Sequence, residues 1–396
     1  MQPEDETGSL ADEIQRTVED AYLKLQPICR PGVRSNNVTE WTVLAGVVAV
    51  DQNSNMDKLR LISIATGVKS LPDTELKRSN GKILHDCHAE ILAIRGLNRV
   101  LLEHANYLKT TGEVATDLLV FDSYSNTFRL KEMWGLALYI SALPCGDASM
   151  TTLRTEASSD NETQAVVVDE SDLIQYVDGT NKTILRGRMN YEKLGIVRTK
   201  PGRIDSLLTL SKSCSDKLCI KQVTSILNCM TWSLITGPVY LKYLIIPLEN
   251  VAEELHLQRS LHKRIENVNM VPMKILKCHN RFLHSKSEKA QEPSAMASVK
   301  LFFNLPNLET SEQAILNGLR NGFYTKKEKP LRKNSETIVS RYAQWKFFQK
   351  LNPEITAGQS YLEFKRSQHD RKCLIEKTKR YLSPDGWIST HVDNVN

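Results

Sequence analysis

Three consecutive residues, His88-Ala89-Glu90, pair a side chain that can ligate a metal with one that can move a proton. A neutral imidazole is a common metal ligand, and a carboxylate two positions on can take and return a proton without binding the metal itself. The apolar residues Ile91, Ile94, Leu97, Leu101 and Leu108 follow mostly at three- to four-residue steps, which predicts an amphipathic helix. The triplet then lies on the first helical turn, where unpaired backbone N–H groups favour a nearby anion. Taken alone, so short a pattern is better explained by a surface His and Glu at a helix start.

A second group changes that balance. Leu136, Leu138, Ile140 and Ala142 alternate as in a strand, which ends in Leu143-Pro144-Cys145-Gly146-Asp147-Ala148. H-x-E followed by P-C-x-x-C is the pattern of zinc nucleobase deaminases, in which zinc activates a water and the Glu shuttles protons. Position 148 is Ala, so the second Cys of that pattern is missing. Catalytic zinc usually takes three protein ligands plus water. The third must come from elsewhere, with Cys214 the best candidate and Cys219 the alternative.

With Ser213-Cys214-Ser215-Asp216-Lys217 as the third motif in order, the chain resembles the deaminase domain of the adenosine deaminases acting on RNA. Thr42-Val43-Leu44-Ala45-Gly46-Val47-Val48 and Thr66-Gly67 resemble its opening strands. Arg198-Thr199-Lys200-Pro201-Gly202-Arg203 is similar to a segment of the tRNA-specific branch. The likeness runs from about Trp41 to Trp387. It implies hydrolytic conversion of adenosine to inosine in RNA, with zinc on His88, Cys145 and Cys214 and Glu90 as the proton shuttle. It also implies tRNA as partner, with adenosine 37, next to the anticodon of alanine tRNA, as the target.

The same resemblance implies a buried inositol hexakisphosphate, held by Arg95, Lys217, Arg341, Tyr361, Lys365 and Trp387. Asp86 would lie between Lys217 and His88 and orient the zinc ligand. His85 and Ile94 stand where those relatives have Asn and Arg, so fewer contacts are expected. The Gly-Glu-Gly of the duplex-editing relatives is absent around Gly195, so no base-flipping residue is assigned. Two rivals are a deaminase of cytidine or free nucleosides, and a non-catalytic RNA-binding subunit with a structural zinc. Ala148 and the distant third ligand weigh against the first. An intact Glu90 and a site of three protein ligands weigh against the second.

The elements that must position these groups follow from composition. The 396 residues are 41% apolar, enough for a large core. Eight cysteines without close pairing, and no signal peptide or transmembrane run, suggest a reducing intracellular setting, cytoplasmic or nuclear. No membrane association and no obligate protein partner is evident. The expected fold is α/β: a cytidine-deaminase-like mixed sheet with helices on both faces, extended by C-terminal helices into one large domain over 16–396. Residues 1–15 are expected to be a disordered acidic end. Leu10, Ile14, Val18, Tyr22 and Leu25 nonetheless step as a helix. Trp41 to Val50 and Leu59 to Ala65 read as a hairpin, and Lys286 to Ser298 as a linker.

Charge is unevenly spread. Residues 154–180 hold seven Asp or Glu against Arg154 alone, a flexible acidic insertion. Arg186, Arg188, Lys193, Arg198, Lys200 and Arg203, with Glu192 the only acidic residue between them, then form a basic run between the two candidate zinc cysteines, where phosphate contacts are expected. Lys69, in a polar loop opening onto the site, joins them as a candidate RNA contact. From Asn321 onward the chain holds 15 Lys or Arg against 8 Asp or Glu, more excess charge than the whole chain's +6. Aromatic residues interleave with these cations, and the stripe Tyr342, Trp345, Phe348 and Leu351 reads as core.

Overall fold

The run Leu44–Asp51 is buried at every position, and Leu59–Thr66 nearly so. Strands β1 and β2, which these residues form, must therefore be covered on both faces. They pair as an antiparallel hairpin, as expected from sequence, with Ala45 opposite Ala65. Six further strands complete the sheet: β3 (Trp134–Ile140), β4 (Leu241–Pro247), β5 (Lys274–Cys278), β6 (Met296–Leu305), β7 (Leu308–Leu316) and β8 (Leu319–Arg320). The spatial order is β5-β4-β3-β1-β2-β6-β7-β8. Strands β3, β4 and β5 run parallel, and every other neighbour is antiparallel. The expected mixed α/β fold is present. This computed structural model describes residues 5–53, 58–150, 184–187, 193–200, 207, 209–326, 329–384, 386–390 and 392–395, with 5–9 and 184–186 as backbone alone.

Two helices cover the two faces. Helix α1 (Asp5–Leu23) seats Leu10, Ile14, Val18 and Tyr22 on Leu44, Val48 and Val50 of β1. Helix α2 (Ala89–Thr111) packs Leu92, Ala93, Leu97 and Leu101 against Ala45, Val47 and Ala49, the alternate side chains of the same strand. Gly46 admits α1 closely: a Cβ there would stand 2.6 Å from Val18. Helix α1 begins at Asp5, within the stretch expected to be disordered. The cause is its apolar stripe, which the sheet buries despite the acidic composition. The acidic insertion 154–180 lies outside the described residues.

Beyond the sheet, α3 (Cys214–Thr224), α4 (Cys229–Leu234) and α5 (Val251–Leu261) follow. Helices α6 (Arg341–Leu351), α7 (Tyr361–Ser367) and α8 (His369–Leu382) complete the chain's described helical layer. Trp345 and Phe348 of α6 stack at 5.8 Å and pack with Phe364 of α7, so the aromatic stripe is core as read. The expected linker over Lys286–Ser298 is partly sheet: Glu292–Pro293 pairs with Glu40–Trp41, and β6 starts at Met296. No helix of the described residues is long and apolar enough to cross a membrane.

Since α1 and α2 lie on opposite faces, the α1 face can be weakened without touching the start of α2. Ile14→Ala is expected to lower unfolding free energy by about 2–5 kcal/mol, with bound metal unchanged. Denaturant titration alongside metal analysis of the folded protein checks both.

Candidate metal and proton-transfer site

Asp86–His88 forms a short ribbon with Val68–Ser70, placing His88 opposite Val68. The chain then turns directly into α2, and Ala89 N–H donates to Gly67 O at 3.0 Å. A Cβ at Gly67 would meet Cys87 O at 2.1 Å, so this crossing requires glycine. His88 is the N-cap residue with extended backbone, which leaves its ring free of the helix barrel. Its backbone N–H and Nδ1 reach Asp86 Oδ1 at 3.1 and 2.8 Å. With Nδ1 donating to the carboxylate, Nε2 is the nitrogen available to a metal. Glu90, one residue into the helix, is buried at 3% exposure.

The cysteines arrive on two turns sewn together. Cys145 follows β3, and Cys214 opens α3 behind the N-cap Ser213. Gly146, at φ +101°, lies so close that a Cβ would be 2.1 Å from Ser213 Oγ. Ser215 Oγ donates to Cys145 O at 2.9 Å, its N–H donates to the same oxygen at 3.0 Å, and Ala148 N–H donates to Ser215 Oγ. Ala148 is thus part of the seam where a second Cys was expected. The donor atoms of His88, Cys145 and Cys214 all lie within 4.8 Å of one another. Cys219 packs elsewhere, with Val197, Val223 and Ile265. The alternative third ligand is thereby set aside.

The charge balance tests whether a divalent metal fits. Asp86, Glu90 and two thiolates would place four negative charges in a buried space, facing Lys200 and Lys217. Two positive charges are lacking, which a divalent metal ion would supply. Lys200 Nζ donates to both Asp86 oxygens at 2.7 Å and to Cys214 Sγ at 3.1 Å. Burial opposes its charge, but Asp86 and both cysteines outweigh burial and hold its pKa well above the usual lysine range. Burial also opposes ionisation of Asp86; Lys200, Lys217 and His88 overcome it and hold that carboxyl well below its ordinary value. His88 is raised to about 9: burial and Lys200 disfavour its charge, while Cys145 and Asp86 favour it. The spot occupied by its ring thus attracts positive charge. Burial pushes Glu90 up, the direction that suits a group which must both take and give a proton.

Several expected RNA contacts are placed differently. Arg198 is fully buried, and Lys200 is at 2% exposure on Asp86 and Cys214. Neither can reach a phosphate, and this corrects the reading of the basic run as a surface. Arg186 lies at the end of the strand Ile184–Arg186, while Arg188 and Arg203 fall outside the described residues. Lys69 is exposed on the ribbon that carries His88.

Arg95, Lys217, Arg341, Tyr361, Lys365 and Trp387 all line one cavity of about 710 Å³. His85 and Ile94 line it too, and His85 Nε2 approaches Asp73 at 3.0 Å. Ten Lys or Arg surround the space against three Asp or Glu, so it is prepared for an anion. Lys212, Lys221, Arg371 and Lys379 are cavity cations that the sequence did not single out. Burial depresses Lys221 to about 7 and Lys365 to about 8, and neighbouring cations contribute to both shifts. Asp86 joins cavity to metal site, contacting Lys217 on one side and His88 on the other. Asp147 and Asp216 were also overlooked, although each sits two residues after a zinc-site cysteine. That repeated C-x-D was the available signal.

The profile of the adenosine-deaminase (editase) domain family matches residues 63–383. A Saccharomyces cerevisiae protein named tRNA-specific adenosine deaminase 1 is 50% identical over 396 residues, covering 100% of this chain and 96% of its own. Its Schizosaccharomyces pombe namesake is 34% identical, covering 97% and 96% respectively. The Double-stranded RNA-specific editase Adar of Drosophila melanogaster is 28% identical over 57% of this chain and 32% of its own.

Substituting any ligand by Ala (His88, Cys145 or Cys214) is expected to take bound zinc well below one equivalent per chain. Cys219→Ala should retain it. Elemental analysis of purified protein reads both, and zinc loss confined to the Cys219 variant would reverse the assignment.

Proposed function

The chain belongs to the adenosine-deaminase (editase) domain family, and from that premise we propose that it converts adenosine to inosine in tRNA. The target is adenosine 37, 3′-adjacent to the anticodon of alanine tRNA. The observation that carries this reading is a buried Glu90 beside the His88–Cys145–Cys214 cluster, in a chain similar along its whole length to proteins named for this activity. The elements from α1 to α8 act as one catalytic domain, and the setting is the cytoplasm or nucleus.

His88, Cys145 and Cys214 would hold zinc, which when bound supplies a Lewis acid that makes water nucleophilic at neutral pH. Glu90 takes the proton from the attacking water. It delivers protons to N1 of the adenine ring and to the departing C6 amine, so water enters and ammonia leaves. A raised carboxyl pKa serves both transfers. Asp86 fixes the His88 ring, and Lys200 holds Cys214 and Asp86 in register. An anticodon-loop base is already partly unpaired, so drawing it into the pocket costs less than from a duplex. Lys69, Arg186, Arg188 and Arg203 remain the candidate RNA contacts.

Glu90→Gln is expected to keep zinc while turnover on alanine tRNA falls about a hundred- to ten-thousandfold. Sequencing for A-to-G changes after incubation with total tRNA measures the loss and identifies the modified position. Inosine formation at a near-normal rate by Glu90→Gln would remove this mechanism.

We further propose that inositol hexakisphosphate occupies the cationic cavity as a structural cofactor. The support is the excess of cavity cations and the convergence of Arg95, Lys217, Arg341, Tyr361, Lys365 and Trp387 on it. An anion-stripped protein should show the sign of the lysine shifts. Folded pKa values of about 7 and 8 lie below the unfolded lysine value near 10.5. These groups therefore disfavour the folded state as pH falls through that interval. Stripped protein should melt higher as pH rises from about 7 to 10. Added inositol hexakisphosphate should raise the melting temperature most at the low end. A melting temperature indifferent to the compound throughout would dismiss this cofactor.

A further inference from the structure

The two cysteine turns share a construction. Asp147 and Asp216, each two residues past its cysteine, are fully buried. Each accepts a backbone N–H from the same short segment: Gly195 N–H to Asp147 Oδ1 at 2.6 Å, and Arg198 N–H to Asp216 Oδ2 at 3.0 Å. Each also faces an arginine. Arg259 of α5 donates Nε to Asp147 Oδ2 at 3.2 Å and Nη2 to Asp147 O at 2.8 Å, and Arg264 Nη1 lies 2.7 Å from Asp216 Oδ1.

Arg198 completes the arrangement from inside. Its fully buried guanidinium donates to Gly187 O at 3.1 Å and Lys193 O at 2.8 Å. Gly187 N–H in turn donates to Thr199 O at 2.8 Å. One planar fork therefore holds two separated points of backbone, which a lysine ammonium at the end of a flexible stem does less well. Burial opposes the charge of this guanidinium and Asp147 and Asp216 favour it, so a cation is accommodated in the core where its fork can hold that backbone. That backbone surfaces beside the metal site. Lys193 is exposed, Leu194 to Ile196 are half-buried, and Gly195 is one hydrogen bond from the Cys145 turn.

We propose that Arg198 is a positioning residue for RNA, anchored by Asp147 and Asp216, and that it holds Lys193–Ile196 at the rim of the metal site against the phosphodiester flanking the target nucleotide. The inference rests on the tRNA reading above. A nucleotide whose base enters the pocket carries its phosphates over this rim. There Lys193 offers a cation, and the clamp fixes its backbone before the RNA arrives. Pre-ordering of this kind is felt in the binding of RNA more than in the proton transfers at Glu90. The basic run thus serves RNA binding in a second manner, through a residue that never touches it.

The test compares KM and kcat on tRNA for zinc-loaded, full-length protein. Arg198→Lys keeps the charge and loses the fork, and should raise KM about tenfold, the equivalent of one charge-assisted hydrogen bond. Its kcat should fall less than about threefold on the same scale. Arg259→Ala, which frees Asp147 from the partly exposed side of the clamp, should raise KM likewise, and Arg259→Lys should recover most of the loss. If Arg198→Lys does not fold, the Arg259 pair decides. Folded, zinc-loaded variants with wild-type KM would overturn the inference, as would a loss carried by kcat alone. A wild-type protein that forms no inosine in tRNA would instead overturn the tRNA reading, and this inference with it.

Discussion

The contact on which the site depends is that of the Lys200 ammonium with Asp86 and Cys214. Four acidic groups gathered in a low-dielectric space repel one another, and each buried charge costs several kcal/mol unless paired. Lys200 touches Asp86, the hydrogen-bond partner of His88, and the thiol of Cys214, so a single cation stabilises both. Lys217 adds the second positive charge from the cavity side. Much of the surrounding architecture supports this arrangement. Strand β3 delivers Cys145, the starts of α2 and α3 deliver His88 and Cys214, and the segment Val197–Thr199 delivers Lys200. At the start of α3 the Cys214 N–H donates to Cys145 Sγ at 3.4 Å, a contact that suits a thiolate.

Helix α2 carries two environments along one rod. Its first turn bears Glu90, while Ile91, Ile94, Arg95 and Asn98 line the cationic cavity. Its other face packs on β1 and β2. A change in charge within the cavity therefore reaches the metal ligand by a route of two contacts, Lys217 to Asp86 and Asp86 to His88. Electrostatic coupling over so short a path needs no movement of the fold.

The His88–Cys145–Cys214 cluster was legible because its members sit in ordered motifs at the ends of elements. The fold class was legible from the hairpin and the β3 and β4 strands, whose apolar residues are dense or alternate. The fates of Arg198 and Lys200 were not. Composition reads a basic run as solvent-facing, whereas Lys200 is buried by Asp86, 114 positions away. The same holds for β6, whose first residues continue a polar stretch. In each case the deciding contact comes from a distant part of the chain.

The cavity's walls are made at different times. Arg95 and Lys217 belong to segments synthesised early, whereas Tyr361, Lys365, Trp387 and Asp393 come at the end of the sequence. The closing segment is tied back by Asp393, which accepts from Gly81 N–H at 2.7 Å and Ser79 Oγ at 3.1 Å, and by Tyr361 N–H to Val395 O at 2.9 Å. On the ribosome, the sheet and metal-bearing helices can therefore assemble around an unfinished cationic face. That face gains its remaining walls only when the segment from Arg341 to Asp393 emerges and docks. For this interval the nascent protein is a core with an open, positively charged flank, and emergence of the later segment is also the step that encloses it.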